Sequence, residues 1–193
     1  SNELTELLSE IENEKKILKS NIPIVVKISP DIYDNDVEKI SELLLKYNIS
    51  SVIISNSTDS NRENLKNINK LEKGGLSGKP LEAKSNLLIN KFFKILGNKI
   101  KIIGVGGVDS GKSAYEKIIN GANLVQIYTG MVYQGPNIAS KIAKELIEIT
   151  KNHSVKNISE LVGIKKWSWL VTLERLYNHI FYVKKMWINW KNT

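Results

Sequence analysis

Apolar positions along the chain alternate between two periods, and the alternation sets out the elements. Residues 3 to 19 carry Leu4, Leu7, Leu8, Ile11, Ile17 and Leu18 among Glu and Lys, an imperfect stripe that predicts an amphipathic helix ended by Pro23. IVVKIS, from Ile24 to Ser29, is short, continuous and β-branched, which predicts a strand buried on both faces of a parallel sheet. Pro30 and Asp31 close it. Asp36 is placed to N-cap a helix running through Val37, Ile40, Leu43, Leu44 and Tyr47. A second strand, through Val52, Ile53 and Ile54, runs directly into Ser55, Asn56, Ser57 and Thr58. A long loop from Asp59 to Lys84 contains GGLSGKP, and a helix from about Ser85 to Leu96 follows.

The next stretch, Ile102 to Thr129, holds the densest chemistry. An apolar run ends in Gly104, Gly106 and Gly107, a helix-period segment follows, and LVQIYTG ends in Tyr128, Thr129 and Gly130. The pattern is strand, glycine turn, helix, strand, loop. Glycines let backbone N–H groups approach an anion closely, and the N-terminus of the following helix adds partial positive charge. Two adjacent parallel strands ending in such turns can hold a phosphate between them, as β/α barrels do after their last two strands. The same glycines also serve an ordinary tight β-to-α turn. Pro136 begins a further helix through Ile138, Ile142, Leu146 and Ile149. Residues 24 to 130 thus predict four strands, each followed by a helix, with polar and glycine residues gathered at strand C-termini. The fold class is α/β, the C-terminal half of a (β/α)8 barrel; 193 residues fall short of the ~250 of a complete one.

Lys27 stands in the middle of a strand expected to be buried. Such a charge either snorkels to the strand end or meets an anionic ligand. Ser55 to Thr58, at a strand's C-terminal end, suit either a ligand site or a turn that caps the strand.

Composition adds limits. The chain has no cysteine, which excludes disulfides and thiolate zinc sites and favours a reducing, intracellular and cytoplasmic setting. Its acidic amphipathic start is unlike a signal peptide, and no apolar run approaches a membrane span. The net charge of +8 is unevenly distributed. Eight Lys and Arg against two Asp and Glu lie from Lys151 onward, which leaves 20 against 18 in residues 1 to 150. The globular part is nearly neutral, so a nucleic-acid partner is not expected. Isolated His153 and His179 suggest no metal site.

The segments IVVKISPD, SVIISNSTDS, GGLSGKPL, IIGVGGVDSG and GANLVQIYTGMVYQGP occur in the order and spacing of the C-terminal half of dihydroorotate dehydrogenase, and the chain most resembles the class 2, quinone-reducing branch. The resemblance covers roughly residues 22 to 166 and includes ELVGIKK, which is similar to that family's terminal helix. It implies an FMN cofactor, dihydroorotate and orotate as substrate and product, and quinone as acceptor. By resemblance, Lys27, Ser55, Ser77, Gly78, Gly106, Gly107, Tyr128 and Thr129 contact FMN, with Lys27 against the pyrimidine edge of the flavin and Gly106, Gly107, Tyr128 and Thr129 at its phosphate. Asn56 and Ser57 resemble the residues that hydrogen-bond orotate. Ser55 and Ser57 stand where the family commonly has Thr. The family's serine base lies on a loop of the first half-barrel, so no residue of this chain is assigned as the catalytic base. A half-barrel exposes two sheet edges, which points to self-association or to a complementing N-terminal half.

Residues 1–166 are therefore expected to form the partial barrel, and 167–193 a separate C-terminal helix. That last stretch, WSWLVTLERLYNHIFYVKKMWINWKNT, carries all four tryptophans and Arg175, Lys184, Lys185 and Lys191. A basic, Trp-rich amphipathic helix is compatible with a membrane interface, with packing against protein, or with no fixed role.

Overall fold

The computed structural model describes residues 2–60, 62–63, 65–153 and 155–167. The four expected strands are present as β1 (Val25–Ile28), β2 (Ser51–Ile54), β3 (Lys101–Gly104) and β4 (Leu124–Val125). They form one parallel sheet in sequence order. The helices between them are α2 (Asp34–Lys46), α3 (Glu82–Leu96) and α4 (Gly111–Asn120), preceded by α1 (Asn2–Ile17) and followed by α5 (Thr129–Gln134) and α6 (Ile138–Asn152). The register sets Ile28 beside Ile54, Ile54 beside Gly104, and Gly104 beside Val125, so the strand C-termini end in one row. Backbone bonds extend the ladder one step further: Val105 N–H donates to the Ile54 carbonyl at 2.7 Å and Gln126 N–H to that of Gly104 at 2.9 Å.

The main core lies between the sheet and the helices on one face. Val52, Ile54 and Ile102 pack there with Val37 and Leu44 of α2 and Leu88, Ile89, Phe92, Phe93 and Leu96 of α3. A second cluster joins Val108, Ala114, Ile138 and Ile142 under α4 and α6. The opposite sheet face, carrying Val25, Lys27, Ile53 and Ile103, is exposed or half-buried.

That corrects one expectation. β1 is buried on one face only, because it is an edge strand and the described helices cover a single side; Val25 is 44% exposed and Lys27 is exposed as well. Smaller differences have local causes. α2 starts at Asp34 behind Tyr33, so Asp36 sits inside its first turn rather than capping it. Of the α1 stripe, Leu8 is buried and Leu4 packs on the core, while Leu7 and Ile17 stay exposed. Residues 158–167 form two short 3₁₀ turns in place of a regular terminal helix. The Trp-rich helix expected over 167–193 lies outside the described residues beyond Trp167. Among the described residues, no helix is long and apolar enough to cross a membrane.

Candidate functional site

Each strand's exit contributes to a single cavity at the C-terminal rim of the sheet. Lys27 comes from β1, Ser55 to Ser57 from the end of β2, Gly106 and Gly107 from the turn after β3, and Tyr128 and Thr129 from the segment between β4 and α5. The fifth wall, Gly75 to Gly78, comes from the long loop. That loop is folded back by an antiparallel bridge: Thr58 N–H donates to the Leu76 carbonyl at 3.0 Å and Leu76 N–H to that of Thr58 at 2.7 Å. The cavity has a volume of about 320 Å³, at the lower end of the ~300–1,000 Å³ of small-molecule sites. All ten residues singled out from the sequence line it.

The glycine end is a backbone surface. Gly107 has φ +76°, and a Cβ there would fall 2.4 Å from Glu82 Cβ and 2.9 Å from its Cα. Gly106 has φ +109°. A Cβ on Gly130 would meet the Val108 carbonyl oxygen at 2.4 Å. Side chains here would occupy the space that the turn needs. Ser77 Oγ and Thr129 Oγ1 lie 2.9 Å apart and tie the long loop to the start of α5.

The start of α4 does not serve as the expected anion receptor. The first turn of α4 is already satisfied from within. Ser110 caps Ser113 N–H, Asp109 accepts from both hydroxyls, and the Glu145 carboxylate accepts from Gly111 N–H. A carboxylate at that helix start removes it as an anion receptor. The backbone that lines the cavity belongs instead to the glycine turn and to the entry of α5, where Thr129 and Gly130 are lining residues. Lys79 is not a free counter-charge either, since its Nζ lies 2.6 Å from Glu82 and 3.7 Å from Asp109. The bond to Glu82 raises its pKa and keeps it cationic.

The other end presents side chains. Lys27 and Asn56 are exposed and Ser57 is half-buried, and among the described residues none of the three side chains forms a hydrogen bond or ion pair. Lys27 therefore reaches the cavity as a cation on an open strand face rather than as a buried charge. Ser55 is 2% exposed and its Oγ donates to the Asn56 carbonyl at 3.1 Å. The segment is held from below by Asp31. Its carboxylate accepts from Thr58 Oγ1 at 2.6 Å, Ser60 Oγ at 3.0 Å, Asp59 N–H at 3.0 Å, and Lys84 Nζ. Partial burial pushes the Asp31 pKa up, but the bonds from Lys84, Thr58, Asp59 and Ser60 outweigh it, and the carboxyl titrates well below its usual range.

Sequence reasoning missed part of the lining. Gln126 was signalled by a lone polar residue within LVQIY and Gly75 by its place in GGLSGKP; Leu81, Val105 and Val108 carried no signal of their own.

A sequence model of the dihydroorotate dehydrogenase family matches residues 1–150. A dihydroorotate dehydrogenase (quinone) of Vibrio parahaemolyticus is 43% identical over 149 residues, which cover 74% of this chain and 44% of that protein. The Wigglesworthia glossinidia brevipalpis protein of the same name is 46% identical over 144 residues, covering 72% and 43%. The crystal structure of the Eimeria tenella enzyme in complex with ferulenol superposes with a TM-score of 0.79 at 28% identity, over 84% of this chain and 48% of that one. The chain spans less than half the length of the curated relatives it matches. With its four consecutive β/α units and its strand-end cavity, it belongs to the dihydroorotate dehydrogenase family, on the quinone-type branch.

Proposed function

We propose that the cavity binds FMN and that the chain supplies the cofactor-binding half of a dihydroorotate dehydrogenase, which oxidises dihydroorotate to orotate in pyrimidine biosynthesis with quinone as acceptor. The observation that carries this reading is the convergence of ten residues from five separate segments on one cavity. The cavity's chemistry fits a phosphorylated flavin. Its glycine end is lined by backbone at positions where a Cβ would clash with Glu82 or with the Val108 carbonyl, and among the described residues no carboxylate lines it. The Gly106 and Gly107 turn, with Tyr128 and Thr129, would hold the phosphate.

Ser77 and Gly78 would lie against the flavin beside Ser55. Lys27, a cation without a protein partner among the described residues, would face the ring and favour negative charge on it. Asn56 and Ser57, whose side chains are unpaired among the described residues, would orient the substrate by hydrogen bonding. Bound FMN would supply hydride acceptance. No catalytic base is assigned within this chain.

The purified chain is expected to be yellow and to release FMN on denaturation. Dihydroorotate-dependent reduction of a dye, lost on Lys27→Ala, would add turnover to binding. A colourless chain that takes up no added FMN would overturn the reading. A second reading is a flavin-binding half-barrel without turnover, closed by another copy or by a complementing half. It is favoured by the exposed residues at both sheet edges, Val25 at 44% and Leu124 at 61%. Flavin binding without dihydroorotate-dependent reduction, in a species of twice the chain mass by light scattering, would favour a second copy.

A further inference from the structure

Behind the glycine turn lies a charge that the flavin reading does not use. Lys117, on α4, is 0% exposed. Its Nζ donates to Ser85 Oγ at 3.1 Å and to Asn86 Oδ1 at 2.9 Å. Ser85, also 0% exposed, donates onward to the Val105 carbonyl at 2.6 Å, which also accepts Ser55 N–H at 3.3 Å. The packing around this relay is close. A Cβ on Gly104 would lie 2.9 Å from Lys117 Cδ, and one on Gly106 would lie 3.4 Å from Ser85 Cβ.

The carbonyl of Val105 and the N–H of Gly106 belong to one peptide plane, and in a trans peptide they point in opposite directions. That oxygen is held between Ser85 of α3 and the Ser55 N–H at the neighbouring strand end, so the Gly106 N–H points away from both of them. An ammonium is costly in this position. Burial pulls its pKa down to about 8, with Glu82 acting in the opposite sense. An apolar side chain of similar length would fill the volume without that cost.

We propose that Lys117 is a positioning residue for the anion-binding turn: through Ser85 it holds the Val105 carbonyl on the helix side and so directs the Gly106 N–H at the phosphate of a bound flavin. The phosphate rests on the function proposed above; the clamp on the turn does not.

The test uses the full 193-residue chain and two variants, Lys117→Met, which keeps the volume, and Ser85→Ala, which cuts the relay. Amide hydrogen exchange of Ser55 and Val105 is expected to speed up about tenfold in both, relative to the amides of α6. Affinity for FMN is expected to fall about tenfold while affinity for riboflavin, which has the same ring and no phosphate, changes less than about twofold. Unchanged exchange in both variants would overturn the proposal. So would an equal loss of FMN and riboflavin, since that is what general loosening of the cavity produces. If the wild-type chain bound neither flavin, the proposed function would fail, and the exchange data alone would decide whether Lys117 holds the turn.

Discussion

At the β3–β4 end of the cavity, Gly107 and Gly130 present backbone with no room for a Cβ and Gly106 is tightly flanked by Leu81, whereas at the β1–β2 end Lys27, Asn56 and Ser57 present side chains that bond to nothing among the described residues. Their supports differ in the same way. The glycine end rests on buried partners, Ser85 and Lys117, each 0% exposed. The side-chain end rests on the Asp31 and Lys84 cluster, whose side chains are each 29% exposed. On the proposed function, a phosphate would be held by backbone shape, which leaves little room for added atoms, and a planar heterocycle by side chains, which tolerate conservative exchange.

The sharpest way to break the contrast is Gly107→Ala. A methyl group would meet Glu82 Cβ at 2.4 Å, on a residue at φ +76°. Left-handed strain and overpacking together are expected to cost about 4 kcal/mol of stability and to remove FMN binding. Chemical denaturation and flavin titration check both. Full retention of binding would show that the turn has slack.

The next largest effect is a pH dependence from Lys117. Its folded pKa, about 8, lies below its ordinary value of 10.5. Between those values the unfolded chain holds a proton that the folded chain has lost, so stability rises with pH across that window; below about pH 8 the penalty for burying the charge is present in full. The stability of wild type relative to Lys117→Met should therefore increase by about 3 kcal/mol from pH 8 to pH 10.5. A flat difference would mean that water reaches the ammonium.

Asp31 gives a slope of the same sign in a much lower window, but there the charged form is the stabilising one. Its folded pKa lies below the unfolded one, so its contribution is present above about pH 4 and is lost as pH falls through the folded value. Asp31→Asn is expected to cost about 1 kcal/mol near neutrality, as a partly exposed pair does, and less in acid. The gap between the two proteins should close below about pH 4. Exchange of Asp59 N–H, which donates to Asp31 Oδ2 at 3.0 Å, reports the same loosening locally.

These supports also mark the limit of what the sequence disclosed. Strands and helices with strong periodicity were legible; the glycines and short polar side chains at strand ends suit tight turns as well as ligands, and it was the family resemblance that singled out the cavity residues among them. α5, six residues reading TGMVYQ, was not, since it is too short for a period and contains glycine and valine. The clamps were also invisible: Lys84 meets Asp31 across 53 positions and Lys117 meets Ser85 across 32. Only the fold brings them together. The error at β1 has a related cause, because a β-branched run reads alike whether one face or both are covered.

Lys27 carries the smallest effect on stability and therefore separates structure from function most cleanly. It is exposed on an edge strand and bonds to nothing among the described residues, so Lys27→Ala should change stability by less than about 0.5 kcal/mol. If the cation faces the flavin, the same change should make the bound flavin harder to reduce, because negative charge on the ring loses a nearby positive partner. Potentiometric titration of wild type and Lys27→Ala measures that directly and needs no catalytic base. A lower potential at unchanged stability would set Lys27 apart from Asp31 as a residue kept for the ligand. An unchanged potential would place the cation away from the ring and leave the side-chain end to Asn56 and Ser57 alone.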